Sequence, residues 1–144
     1  MRKLVLALLI LPCLLLGCGK SNLNWTDEEK ANIEHFHKSG EASRKAVRII
    51  NSGSSGAISS NETKQIIRLT NLALSEAKLV RDDVLAKAHP QLPKKYRTLY
   101  QRSLELQVIN FKIGNFKKEV EAGKLHDSWV DWININKGQV KIPR

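Results

Sequence analysis

Apolar side chains recur at alternating three- and four-residue spacing over three long stretches of this chain, a rhythm that fits one face of a helix and not the two-residue alternation of a strand. The first seam is Ile33, Phe36, Gly40, Ser43, Val47 and Ile50; the second is Ile66, Leu69, Ala73, Ala77, Val80 and Val84. The third contains Leu99, Arg102, Leu106, Ile109, Ile113, Phe116 and Val120. Residues 51–60, rich in serine and glycine, cannot continue a helix, and Pro90 stops one. The pattern predicts an all-α fold: a small antiparallel helical bundle of three long helices, followed by a short C-terminal tryptophan-containing helix or an extended tail.

Cap signals place the helix ends. Thr26 with Glu29, and Ser59 with Glu62, form two capping boxes, and Asp27, Glu28 and Glu29 put negative charge in a first turn. Helix two is expected to run to His89. Pro93 suits the first turn of helix three, which is expected to continue to Ala122 before Gly123 stops it, roughly 45 Å at 1.5 Å per residue. Gly40 and Ser43 offer either a close approach to another helix or a kink. Helix three carries a second apolar stripe, Tyr100, Leu104, Val108 and Phe111, nearly opposite the first. That stripe needs a cover, either the tail, another chain or a membrane, and it is the candidate partner surface. In the tail Asp127 can cap a short helix bearing Trp129, Trp132 and Ile133. Ile133, Ile135, Val140 and Ile142 around Asn136-Lys137-Gly138 also fit a small hairpin, although helix followed by extended chain is the favoured form.

The first eighteen residues supply an address. Met1-Arg2-Lys3 precedes an apolar run over 4–16, then Gly17-Cys18, with Pro12 inside a run shorter than the roughly 20 residues of a bilayer span. An uncleaved anchor and an ordinary secretory signal fit less well. Leu15-Leu16-Gly17-Cys18 resembles the lipobox of bacterial lipoproteins. The resemblance covers the export segment alone. It implies that 1–17 is a signal peptide, that the Cys18 thiol takes diacylglycerol, and that the mature chain, with its palmitate-like acyl chains, is anchored to a membrane of the cell envelope. It leaves 18–24 as lipidated cysteine and tether and 25–144 as one helical domain. Gly19 in place of aspartate favours the periplasmic side of an outer membrane if the envelope is Gram-negative. The tether from Gly19 to Asn24 reaches only about 20 Å at roughly 3.3 Å per residue, so the domain sits against the bilayer.

Composition narrows the chemistry. Cys13 leaves with the signal and Cys18 is consumed by the lipid, so no cysteine remains for disulfides, metal thiolates or thiol catalysis. Loss of Arg2 and Lys3 lowers the formal charge from +10 to +8. Residues 25–89 are nearly balanced, whereas 90–124 hold eight basic residues against Glu105, Glu119 and Glu121. Lys94, Lys95, Arg97, Arg102, Lys117 and Lys118 are therefore candidate contacts for an anionic lipid or wall polymer, with solvation of a helix face as the plainer reading. Arg102 sits within an apolar seam, where its stem can cover apolar surface while the guanidinium reaches water. Trp25, close to the anchor, is placed to rest at head-group level.

Among His35, His37, His89 and His126, the first two project about 200° apart on a helix and cannot close on one metal. His126-Asp127-Ser128 has the residue types of a hydrolase triad without its geometry, and the glycine-rich stretch lacks the lysine of a phosphate loop. No enzyme activity, cofactor, metal or nucleic-acid partner is expected. The expected function is a non-catalytic accessory or interaction protein that binds an envelope protein partner or itself, with anionic envelope lipid or polymer as the alternative ligand of the basic third helix.

Overall fold

The computed structural model describes residues 23–52 and 58–143. The lipobox, Cys18 and the middle of the serine-glycine stretch lie outside them. The elements are α1 (Asp27–Ser52), α2 (Ser60–Leu79), α3 (Asp82–Ala88), α4 (Leu92–Lys95), a π-helical stretch (Tyr96–Gln101), α5 (Arg102–Ile113) and α6 (Phe116–Asn136). The fold is all-helical, with no strand among the described residues. Its division into helices departs from the expectation at two breaks.

Both capping boxes form. The Thr26 N–H donates to Glu29 Oε2 at 2.8 Å while the Glu29 N–H donates to Thr26 Oγ1 at 3.2 Å, and Ser59 and Glu62 repeat the arrangement. α1 buries Ile33, Phe36, Ser39, Ala42, Ser43, Ala46 and Val47. It continues unbroken through Gly40, where an added Cβ would meet nothing within 4 Å, so Gly40 makes neither a break nor a close approach. Ser39 makes the approach instead, donating to the Ala73 carbonyl at 2.7 Å. Asn32 reaches Leu79, His35 reaches Glu76 and Ser39 reaches Ala73, so α1 and α2 run antiparallel.

The first break falls at Val80-Arg81, inside the stretch expected to be one helix. A helix end leaves carbonyls unpaired, and burial of such groups must be compensated. Two residues from elsewhere do this. Asn32 donates to the Leu79 carbonyl at 2.9 Å and accepts the Arg81 N–H at 2.8 Å. Arg97 donates to the Ala77 carbonyl at 3.0 Å and to the Val80 carbonyl, and is itself held by Asp82 at 2.8 Å and Gln101 at 2.6 Å. Asp82 and Asp83 then favour the start of α3.

The second break falls at Gly114-Asn115. Gly114 takes the left-handed conformation, φ +61°, and its N–H closes α5 on the Asn110 carbonyl at 2.7 Å. Asn115 then caps α6, its side chain accepting the Lys118 N–H. The expected run to Ala122 is thus two helices. Gly123, expected as a stop, and Asp127, expected as a cap, both lie within α6. Within the π-helical stretch Tyr96 and Tyr100, four residues apart, both enter the core beside Leu92 and Leu104.

The main core joins Ile33, Phe36, Ala73, Ala77, Val84, Leu85, Leu92, Tyr96, Tyr100, Leu104, Trp129 and Ile133. Past α6 the chain is extended, not a hairpin. Val140 and Ile142 are buried, the Lys141 N–H donates to Ala88 at 3.2 Å, and His37 Nε2 meets the Pro143 carbonyl at 2.8 Å. A second, smaller core of Ala46, Ile66 and Leu69 lies where α1 ends and α2 begins, with Ile49, Ile50, Ile58 and Phe111 against it.

Candidate functional site

The second stripe of helix three faces inward. Tyr100, Leu104 and Val108 are buried, and Phe111 is partly buried against the smaller core. α6 supplies the cover: Trp129 lies 5.5 Å from Tyr100 and 5.7 Å from Tyr96, centroid to centroid. Tyr100 shares a 2.9 Å hydrogen bond with Ser39, and burial pushes its phenol up to about 12. Burial likewise raises the Tyr96 phenol well above its ordinary range; its hydroxyl lies beside Ser39 without bonding it. The stripe expected to need a cover is thus packed within the chain, Tyr100 against Trp129 of α6 and Ser39 of α1, and Phe111 against the smaller core of α1 and α2.

The basic candidates do not share one surface either. Lys94 and Lys95 lie in α4, one residue before the π-helical stretch that holds Arg97 against the end of α2. Lys117 and Lys118 open α6, beyond the far end of α5, roughly 30 Å away along helices that rise 1.5 Å per residue. Arg97 is engaged in the four hydrogen bonds described above, so it serves the α2–α3 break. Arg102 pairs with Glu105 at 3.1 Å and Lys118 with Glu121 at 3.4 Å, both exposed i,i+3 pairs of small energetic value. Lys94, Lys95 and Lys117 make no ion pair among the described residues.

Trp25 packs partly buried against the main core, with the Lys87 ammonium 4.9 Å above its ring. Lys87 also donates to Glu29 at 2.6 Å and to the Asn24 carbonyl, and its ammonium holds the Glu29 carboxyl below the usual carboxylate range, helped by the Thr26 N–H. Trp25, expected at head-group level beside the tether, thus also makes intramolecular contacts. His35 and His37 separate as expected, one to Glu76 at 2.7 Å and the other to the tail. His126 is buried with neither ring nitrogen bonded, and burial pulls its pKa down. No group of three His, Cys, Asp or Glu among the described residues is arranged to hold a metal ion.

Exposure concentrates at the corner between α5 and α6. Ile113 is 64 % exposed, Phe116 60 % and Val120 40 %, although all three belong to the seam expected to be buried. The turn at Gly114 is the reason, since it reverses the chain before the seam can continue. The Gly-Asn pair was the local signal for it. On α6, at 100° per residue, Phe116, Val120, Lys124 and Lys117 fall in one sector about 100° wide. The buried residues Ala122, His126, Trp129 and Ile133 occupy the opposite part of the wheel. Lys112 stands just before the corner, and Lys112, Lys117 and Lys124 are all exposed. Leu72 and Leu79, two turns apart on one face of α2, and Ile135 of α6 are also exposed.

The corner and the chain entry lie at opposite ends. Phe111 sits with the end of α1, whereas Trp25 and Lys87 mark its beginning, about 40 Å away for 26 residues. No helix of the described residues is long and apolar enough to cross a membrane. The chain matches no family model, no curated protein and no solved structure.

Proposed function

We propose that this chain is a membrane-anchored bacterial envelope lipoprotein that acts by contact and not by catalysis, holding an envelope partner through the α5–α6 corner. The observation that carries the reading is the corner itself: Ile113, Phe116 and Val120 stand out together at the end remote from the tether. Clustered exposed apolar side chains mark interaction surfaces far more often than single ones do. The export segment and Cys18 supply the address, and the short tether keeps the domain within reach of the bilayer. A helical accessory domain of this kind needs no cofactor.

A photo-crosslinking residue at Phe116, introduced into the full-length protein in cells, tests the reading. A crosslinked adduct, to an envelope protein or to phospholipid, absent when the probe replaces exposed Leu72 instead, is the expected result. Equal labelling from both positions would remove the corner from the function. Separately, Cys18→Ser is expected to leave an uncut precursor or release the protein from membranes, and unchanged membrane fractionation would overturn the anchoring.

The alternative, an anionic lipid or polymer ligand of the basic third helix, gains support from Lys112, Lys117 and Lys124 beside the same apolar corner. It loses Arg97, which is engaged within the fold.

A further inference from the structure

We infer that the partner of the α5–α6 corner is an anionic phospholipid surface, into whose head-group region Ile113, Phe116 and Val120 insert while Lys112, Lys117 and Lys124 pair with lipid phosphates. The inference rests on the contact reading above and names its ligand. Three observations favour lipid over a protein. The corner is a tight turn, two helices joined by the two residues Gly114 and Asn115, with Ile113 and Phe116 on either side of it both more than half exposed. Three side chains are too few for a stable protein interface, which buries on the order of 1,000 Å² or more and whose centre is depleted in lysine. Lysines flanking large apolar residues are instead the composition of interfacial insertion, in which the stems lie along the apolar surface and the ammonium groups reach the phosphates.

The charge nearest the apolar pair is basic. On the α6 wheel, Lys117 and Lys124 lie to one side of Phe116 and Val120 and Glu119 and Lys118 project elsewhere, while the exposed Asp127 and Asp131 continue the same sector about one and two turns beyond Lys124. Lys112 and Lys117 have no carboxylate partner among the described residues, so both are free to meet phosphate. The lipid on Cys18 makes so small a contact sufficient, since a tethered domain presents its corner to the bilayer at high effective concentration. A tether of about 20 Å and a bundle of about 40 Å allow the corner to touch the membrane that holds the anchor when the bundle lies along it.

With Cys18 acylated the mature chain has no other cysteine, so a nitroxide or fluorescent label can be placed at Ile113→Cys alone. The full-length acylated protein is reconstituted in vesicles of phosphatidylcholine with or without phosphatidylglycerol. The label is expected to enter the apolar phase only with phosphatidylglycerol, and to return to water at high salt. Lys117→Glu with Lys124→Glu should lower the inserted fraction by roughly tenfold or more, whereas Lys94→Glu with Lys95→Glu, the same charge change at the other end, should leave it unchanged. A label in water in both vesicle types, or equal loss from both charge pairs, overturns the inference. In that case a single envelope protein crosslinked at Phe116 would leave the contact function standing with a different partner, and a crosslink between two copies of this chain would make the corner a dimer contact. Loss of every crosslink would sink both.

Discussion

The two ends of the bundle are built by different means. Where the chain enters, elements far apart in sequence are tied together: Glu28 to Arg81, Asn32 to Leu79 and Arg81, Lys87 to Glu29, Arg97 to Ala77 and Val80, and the tail to Ala88 and His37. The aromatic cluster of Phe36, Tyr96, Tyr100 and Trp129 lies under these ties. At the other end the ordering is local, a left-handed glycine and one asparagine cap over a small core of Ala46, Ile66 and Leu69. The first end concentrates stability. The second leaves apolar surface outside, and an end that need not hold the fold is free to be shaped for contact.

Trp129→Ala should show the largest effect. The indole is 4 % exposed and touches rings on the π-helical stretch and on its own helix, so its removal is expected to cost about 3–5 kcal/mol in urea unfolding followed by circular dichroism. A loss below about 1 kcal/mol would mean that the entry end is not the stable one. Arg97→Ala should cost about 2 kcal/mol, because two carbonyls at the α2–α3 break lose a charged donor. Arg97→Lys should recover little of that loss, since one ammonium cannot span Ala77, Val80, Asp82 and Gln101 as the planar fork does. Full rescue by lysine would reduce Arg97 to a surface charge.

The same contrast decides what the sequence discloses. The caps at Thr26 and Ser59, the Pro93 start and the all-helical class depend on neighbours in the chain, and they were legible. The break at Gly114-Asn115 was equally local, but the apolar period continuing through Phe116 and Val120 outweighed a Gly-Asn pair that is itself a stop-and-start signal. The break at Val80-Arg81 was not legible. Its carbonyls are satisfied by Asn32 and Arg97, one 47 residues away, and no nearby residue marks the end. The π-helical stretch over Tyr96–Gln101 likewise has no marker in the neighbouring sequence. For the candidate site the consequence was an inversion. Tyr100, Leu104 and Val108, read as a surface, are core, and Ile113, Phe116 and Val120, read as core, are surface.

His126, midway along α6, gives a pH test of the region between the ends. Burial disfavours its charged form and Asp127 opposes this in part, so the folded pKa lies below the ordinary 6.5. Below that value the unfolded chain takes up a proton that the folded chain refuses. Stability is therefore full above about pH 7 and should fall as pH drops through 6.5, by up to about 1.4 kcal/mol per pH unit. His126→Leu should remove this slope in urea titrations between pH 7 and 5, and a slope that survives would assign it to other groups. Gly40→Ala is expected to stabilise by about 0.5–1 kcal/mol, as the added methyl meets open space within a regular helix. A loss there would show that α1 needs its glycine.

The smallest effect expected on folding comes from the corner. Ile113→Ser and Phe116→Ser each remove a side chain that is more than half exposed, and surface changes of this kind stay within about 0.5 kcal/mol. A core residue deleted to serine would cost several times as much, so urea unfolding of the double variant separates the two roles of one seam. Unchanged stability with loss of the Phe116-dependent contact in cells would place function at one end and stability at the other. A loss of about 2 kcal/mol or more would mean that the corner packs against the fold in solution, and the contrast between the ends would then disappear.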